Sequence, residues 1–246
     1  MALSTIPKDS IAADAIDATK IADDAISEEH LDATAITGHT ALAATPANTD
    51  ELLISDAGTL KRIDFSYLKS GTFVEVAQSS ISAGSNTAAV EFSNIFSSSY
   101  NTYFVRISKI RFVGNTTLQM RFYSDTSTTE YSGAYYDFVT FGYDDGGNRE
   151  DNPGNGENRF YLTQALDQDQ PADGGATGHL YIDNPLANDN FSVTAMGQFG
   201  YRNTSDVWSS VQFAGKYSGS SPRYGFKLYG SENVEYADIT VYGVAP

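Results

Sequence analysis

The chain has 246 residues, 41% hydrophobic and 13% aromatic, and a formal net charge of −16 from 15 basic and 31 acidic residues. Such a surface repels phosphate backbones and anionic lipid, which argues against nucleic-acid binding and electrostatic membrane adhesion; acidity of this kind chiefly keeps a protein soluble at high local concentration. With no cysteine, disulfides, thiolate nucleophiles and cysteine metal sites are excluded together.

The N-terminal "MALSTIPKDS" has neither a charged leader nor an apolar centre, so it does not read as a signal peptide, and no run of about 18 apolar residues suggests membrane insertion. From there Ile6, Ile11, Ile16, Ile21, Ile26, Leu31 and Ile36 fall on every fifth position, with Ala, Asp, Thr and Ser between them. A period of five suits neither an α-helix, which carries each fifth residue far around its surface, nor a strand, which changes face at every odd step. In tens, "DATKIADDAI" is followed by "SEEHLDATAI", which is an internal repeat. One copy offers too little apolar surface to offset about 1 to 2 kcal/mol of chain entropy per residue. Residues 1–45 are therefore expected to be disordered alone and to gain order as a shaft. Three parallel chains would let each isoleucine level meet its symmetry mates, although the period favours assembly without fixing the number three. A low-complexity tail that never orders is the alternative.

Residues 46–71 read as a small connector. "ELLIS" and "LKRIDF" are strand candidates joined by "DAGT", where Gly58 can take positive φ, and "DFSYLKSG" reads as a turn or short helix. The decapeptide repeat followed by "TDELLISDAGTLKRIDFSYLK" resembles virion fibre proteins of tailed bacteriophages, of the marine-phage type. The resemblance is strongest over residues 6–68. It implies a parallel homotrimer in a virion, attached to other virion proteins by its N-terminal end, whose β-rich head meets a host cell-surface receptor, glycan or protein.

Aromatic residues begin only at Phe65, and residues 72–246 hold nearly all of them. "TFVEVAQ", "AAVEFSNIF", "TYFVRISKIRFV", "TLQMRFYS", "YYDFVTFGY", "RFYLTQAL", "GHLYIDN", "FSVTAMGQFGY", "VWSSVQFAGKY", "YGFKLYG" and "ADITVYGV" are strand candidates separated by Gly, Asn, Asp, Ser and Pro. Their density predicts a mainly β head, a β-sandwich of jelly-roll type. In the third of them, Phe104, Arg106, Ser108, Ile110 and Phe112 fall on one face, and Tyr103, Val105, Ile107 and Lys109 on the other. The closing "ADITVYGV" also resembles the last strand of phage fibre heads.

The chemistry of catalysis is not legible. His30, His39 and His179 are scattered, and no HExxH, GxSxG or GxxxxGK(S/T) pattern occurs, so no enzyme, metal or cofactor is expected. A calcium template beginning at Asp167 and Asp169 fails because Pro171 takes the third ligand position. Long loops on rigid β-scaffolds often carry recognition, and glycan sites combine aromatic faces with amide and carboxylate groups. "YDDGGNREDNPGNGENR" at 143–159 offers Tyr143, Asp144, Asp145, Asn148, Arg149 and Asn152; "GYRNTSDVW" at 200–208 offers Tyr201, Arg202, Asn203 and Trp208. Tyr201 and Trp208 could instead serve the core or a subunit interface. The rival functions are a capsid-decorating or purely structural fibre, which the short chain without a separate attachment domain would suit, and a glycan-degrading enzyme.

Overall fold

The computed structural model describes residues 19, 21–22, 34–44, 46–47, 49–68, 73–167, 174–188 and 193–245. The chain divides into two compact units, Met1–Lys69 and Ser70–Pro246. Ile6, Ile11, Ile16, Ile26 and Leu31 of the expected shaft lie outside the described residues. Ile21 is exposed, and Ile36 lies in the four-residue helix α1, Thr34–Thr37.

In the first unit β1 (Glu51–Asp56) and β2 (Thr59–Asp64) form a two-stranded antiparallel sheet. Ala57 and Gly58 between them both have positive φ, 50° and 82°, as a two-residue turn matched to the strand twist requires. Lys61 and Arg62 pair with Asp56 and Glu51 across the hairpin. Leu52, Leu53 and Ile54 stay exposed, and an isolated hairpin with no buried face is marginally stable at best.

The second unit is mainly β: one antiparallel sheet of eleven strands. In chain order these are β3 (Phe73–Ile81), β4 (Thr87–Phe92), β5 (Thr102–Phe112), β6 (Thr116–Tyr123), β7 (Tyr136–Asp144), β8 (Asn152–Glu157), β9 (Phe160–Leu166), β10 (Ala176–Asp183), β11 (Val193–Arg202), β12 (Trp208–Tyr217) and β13 (Gly225–Val244). The main path runs β8-β7-β12-β11-β10-β5-β13-β6-β9, with β3 and β4 also on β13. The twenty-residue β13 makes this possible. Its first part pairs with β4 and β6 and its second with β3 and β5, the change falling between Tyr229 and Val234. The bend folds the sheet over itself, so that β9 packs near β7 and β8 and almost closes a barrel.

Rings fill the space between the facing parts. Phe122 of β6 meets Tyr136, Phe160 and Tyr217 at centroid distances of 6.3, 6.1 and 5.7 Å, and Phe160 meets Phe213 at 5.3 Å. Alternation along β12 and β7 sends Val211, Phe213, Tyr217, Tyr136 and Phe138 into this core, the pattern of a sheet buried on one face.

Three expectations are corrected by this arrangement. The last two strand candidates are one strand, since β13 runs through "SENVEY" without ending. The long loop at 143–159 contains β8, paired with β7; a strand reading "NPGNGE" carries no hydrophobic signal. In β5, Tyr103, Val105 and Ile107 are buried as one face, yet Ile110 and Phe112 are buried too. Register shifts against β10 and β13 place an extra residue at Ser108–Lys109, and such a bulge resets the two-residue period.

On the outside of β6 and β13, Glu130 bridges Arg121 and Lys227. Partial burial opposes its charge, but hydrogen bonds from Lys227 and Arg121 outweigh that and hold the carboxyl below its ordinary value of 4.5. A depressed carboxylate stabilises the fold above its unfolded pKa, and the gain disappears as pH falls through the folded value. Glu130→Gln is thus expected to cost about 2 kcal/mol near pH 7. The gap to the unsubstituted protein should narrow in melting curves as pH is taken progressively below the ordinary carboxylate value of 4.5; a pH-independent gap would contradict the bridge.

Candidate functional site

Two of the loops nominated above come together at one end of the sheet, because β12 is the neighbour of both β7 and β11. Asp144 is opposite Ser209, and the Asp145 amide donates to the Trp208 carbonyl at 2.8 Å. Each loop is shaped by one short polar side chain. Asp144 accepts from the Asn148 side chain at 2.8 Å and its backbone amide at 2.7 Å, and these bonds hold its carboxyl below the ordinary range. Asn203 accepts from the Ser205 and Val207 amides at 2.9 and 3.3 Å, while Asp206 takes a left-handed φ of 62°, a conformation Asn and Asp tolerate best among residues with a side chain.

Glu150 ties the two loops to the core. Its Oε1 accepts from Asn203 Nδ2 at 2.8 Å and Ser209 Oγ at 3.3 Å, and its Oε2 accepts from the Tyr201 hydroxyl at 3.4 Å. Tyr201 Oη in turn accepts from the Gln164 amide at 3.2 Å. Burial raises the Tyr201 phenol well above its usual value, and the Glu150 charge adds to that. Glu150 is one acid among 31, and nothing in the sequence singles it out.

The nominated residues therefore separate by role. Asp144, Tyr201 and Asn203 are buried and spend their polar atoms on the loops themselves. Asn152 is half-buried at the start of β8, where its carbonyl accepts from Thr140 Oγ1 at 3.4 Å. Arg202 is held by Asp206 at 2.5 Å. Tyr143, Asp145, Asn148, Arg149 and Trp208 face solvent. Arg149 pairs with Asp151 at 2.5 Å and lies 5.8 Å from the Phe141 ring centre.

Trp208, 49% exposed, stands over a hollow of about 280 Å³ lined also by Ser108, Lys109, Gly174, Gly175, Ala176, Thr177 and Gly200. The β5 bulge sits in its wall. Gly200 leaves its floor open, since a Cβ there would meet only Thr177 Cγ2, at 3.9 Å. Gly175 has φ +107° and lies so near the Ile110 carbonyl that a Cβ would be 2.5 Å from it. A flat indole beside an ammonium, two hydroxyls and a glycine floor combines apolar contact with directional hydrogen bonding. The sequence singles out Trp208 and the stretch that begins at Gly200, but not Ser108, Lys109 and residues 174–177, which lie more than thirty residues from Trp208.

Among the described residues no group of three or more His, Asp or Glu side chains is placed to hold a metal ion, and no helix is long and apolar enough to cross a membrane. No known family, curated protein or solved structure matches the chain.

Proposed function

We propose that this chain is a virion fibre of a tailed bacteriophage, and not an enzyme. Residues 1–45 attach it to the particle and gather three copies, residues 46–71 connect, and residues 72–246 are a sandwich-like head of jelly-roll type that binds a host surface glycan. The observation that carries the receptor role is the Trp208 hollow: an exposed indole held at the end of a rigid sheet by loops braced from below through Glu150. The folding-over of the sheet on β13 supports the sandwich reading, and the isoleucine repeat supports assembly. Three weakly binding heads on one stem would add avidity where their receptors are within reach.

The test uses the full chain, fluorescently labelled, on a panel of marine bacterial cells and their extracted lipopolysaccharides and capsular polysaccharides. Binding to at least one preparation is expected, and Trp208→Ala should weaken it by about tenfold or more, the scale of losing one anchoring aromatic, with an unchanged melting curve. Equal retention of the two proteins, or no binding across the panel, would remove the receptor site.

A further inference from the structure

The outward face of the large sheet carries a row of directly opposed residues that runs across seven strands: Tyr242, Phe104, Tyr181, Met196, Ala214, Val139 and Pro153. Every one is apolar or aromatic. Met196 is 51% and Val139 48% exposed, and Ala214 and Pro153 are exposed as well. Phe73 extends the row at one end, with its ring 5.3 Å from Phe104 and 6.2 Å from Tyr242; Glu75, opposite Tyr242 on β3, bounds it. Single exposed apolar residues are ordinary, but a contiguous band is not, and the free face of an antiparallel sheet is normally polar.

We propose that this face is the contact surface between copies of this chain. Three observations select a second copy over other occupants. Within the seven-strand row the exposed members, Met196, Ala214, Val139 and Pro153, are aliphatic and the one exposed ring, Phe73, stands at its end, whereas a glycan would need flat ring faces along it. The row and its neighbour on one side, Thr240, Arg106, His179, Gln198, Gln212 and Phe141, contain no acid, although the chain carries 31. Two copies of a strongly acidic protein approach with least repulsion where acids are missing. Phe73, at the end of the row, is also on the first strand of the β-rich unit, so the row ends where the chain leading from the repeat enters that unit.

The flanking rows supply a polar rim: Asp183 accepts from Thr102 at 2.7 Å, and Lys216 pairs with Asp137 at 3.3 Å. An apolar centre within a polar rim is the anatomy of a specific interface. Seven strands about 4.8 Å apart and three rows of side chains span roughly 30 by 20 Å, on the order of 600 Å². That is the low end for one side of a specific interface, so the face would hold copies together weakly alone and well when tethered. The Trp208 hollow lies nearer the loop end, beyond the Gln198–Gln212 row.

The inference rests on the fibre reading only in that the repeat brings the copies together, and the absence of cysteine allows a clean test. Full-length chains bearing Met196→Cys, at the centre of the row, or Thr126→Cys, on an exposed loop that follows β6, are treated with a short bismaleimide and their mass is measured by sedimentation. Met196→Cys is expected to cross-link between copies at least about tenfold more than Thr126→Cys. Adding Ala214→Glu and Val139→Glu should bring it down to the Thr126→Cys level without changing the sedimenting mass. An oligomer whose Met196→Cys links no better than the control overturns the face and leaves the fibre reading intact. A monomeric chain that links through Met196→Cys only at high concentration keeps the face and removes the tether; one that never links removes both. Loss of polysaccharide binding in the Glu variants, with cross-linking at control level, would make the face a ligand surface and overturn the proposal.

Discussion

The purified full-length chain is expected to scatter light as a trimer, three times the 26.6 kDa chain, and a chain beginning at Gly71 to fall apart on dilution. Seven large apolar residues spaced by five cannot form one face on a single helix or strand, and between them stand mainly Ala and short polar residues. Alone, such a segment loses about 1 to 2 kcal/mol of backbone entropy per ordered residue and buries almost nothing in return. Association changes the balance, because each isoleucine level then removes its side chains from water together, at roughly 25 cal/mol per Å² of apolar surface. Replacing Ile11, Ile16, Ile21 and Ile26 with Ser should therefore dissociate the protein at least as thoroughly as the deletion, while leaving the melting of the β-rich unit near its original temperature. A monomeric full-length chain would refute the shaft.

The β-rich unit was legible wherever strands obey a period of two and are buried on one side. β5, β7, β11 and β12 do so for most of their length and fall within a residue or two of their expected bounds. Legibility failed where register, not pattern, decides. β8 has no apolar pattern and exists because β7 offers it a partner. β13 crosses "SENVEY", which reads as a turn, because its two parts pair with different neighbours. The bulge at Ser108–Lys109 turned Ile110 and Phe112 inward against the strand's own period.

The candidate site shows the same division. Loop composition located the two loops, since Asp, Asn and Gly mark tight connections, but it could not tell a residue that builds a loop from one that presents on it. Asp144 and Asn203 belong to the first kind and Trp208 to the second, and the difference lies in which backbone amides each side chain can reach. The hollow beneath Trp208 is assembled from β5, β10, β11 and β12, and its existence depends on a strand order no local pattern encodes.

Phe122→Ala should be the most damaging single change in the β-rich unit. Phe122 is fully buried, and its ring lies within 6.4 Å of the ring centres of Phe96, Tyr136, Phe160 and Tyr217, so truncation opens a cavity where the facing parts of the folded-over sheet meet. Its backbone is tied to the same place: its amide donates to Tyr136 Oη at 3.1 Å, Tyr136 Oη donates to the Tyr131 carbonyl at 3.0 Å, and the Tyr131 amide returns to the Phe122 carbonyl at 3.0 Å. A buried Phe→Ala change costs about 3 to 5 kcal/mol, a large share of the 5 to 15 kcal/mol that holds a typical domain. For a unit of this size that corresponds to a fall in melting temperature of about 6 to 20 °C. Tyr136→Phe keeps the ring and removes only the hydroxyl relay, and should cost about 1 to 3 kcal/mol. Denaturant titration of the three proteins separates the two contributions. If packing between the facing parts dominates, Phe122→Ala shifts the midpoint well beyond Tyr136→Phe; equal shifts would place the stability of this region in the relay.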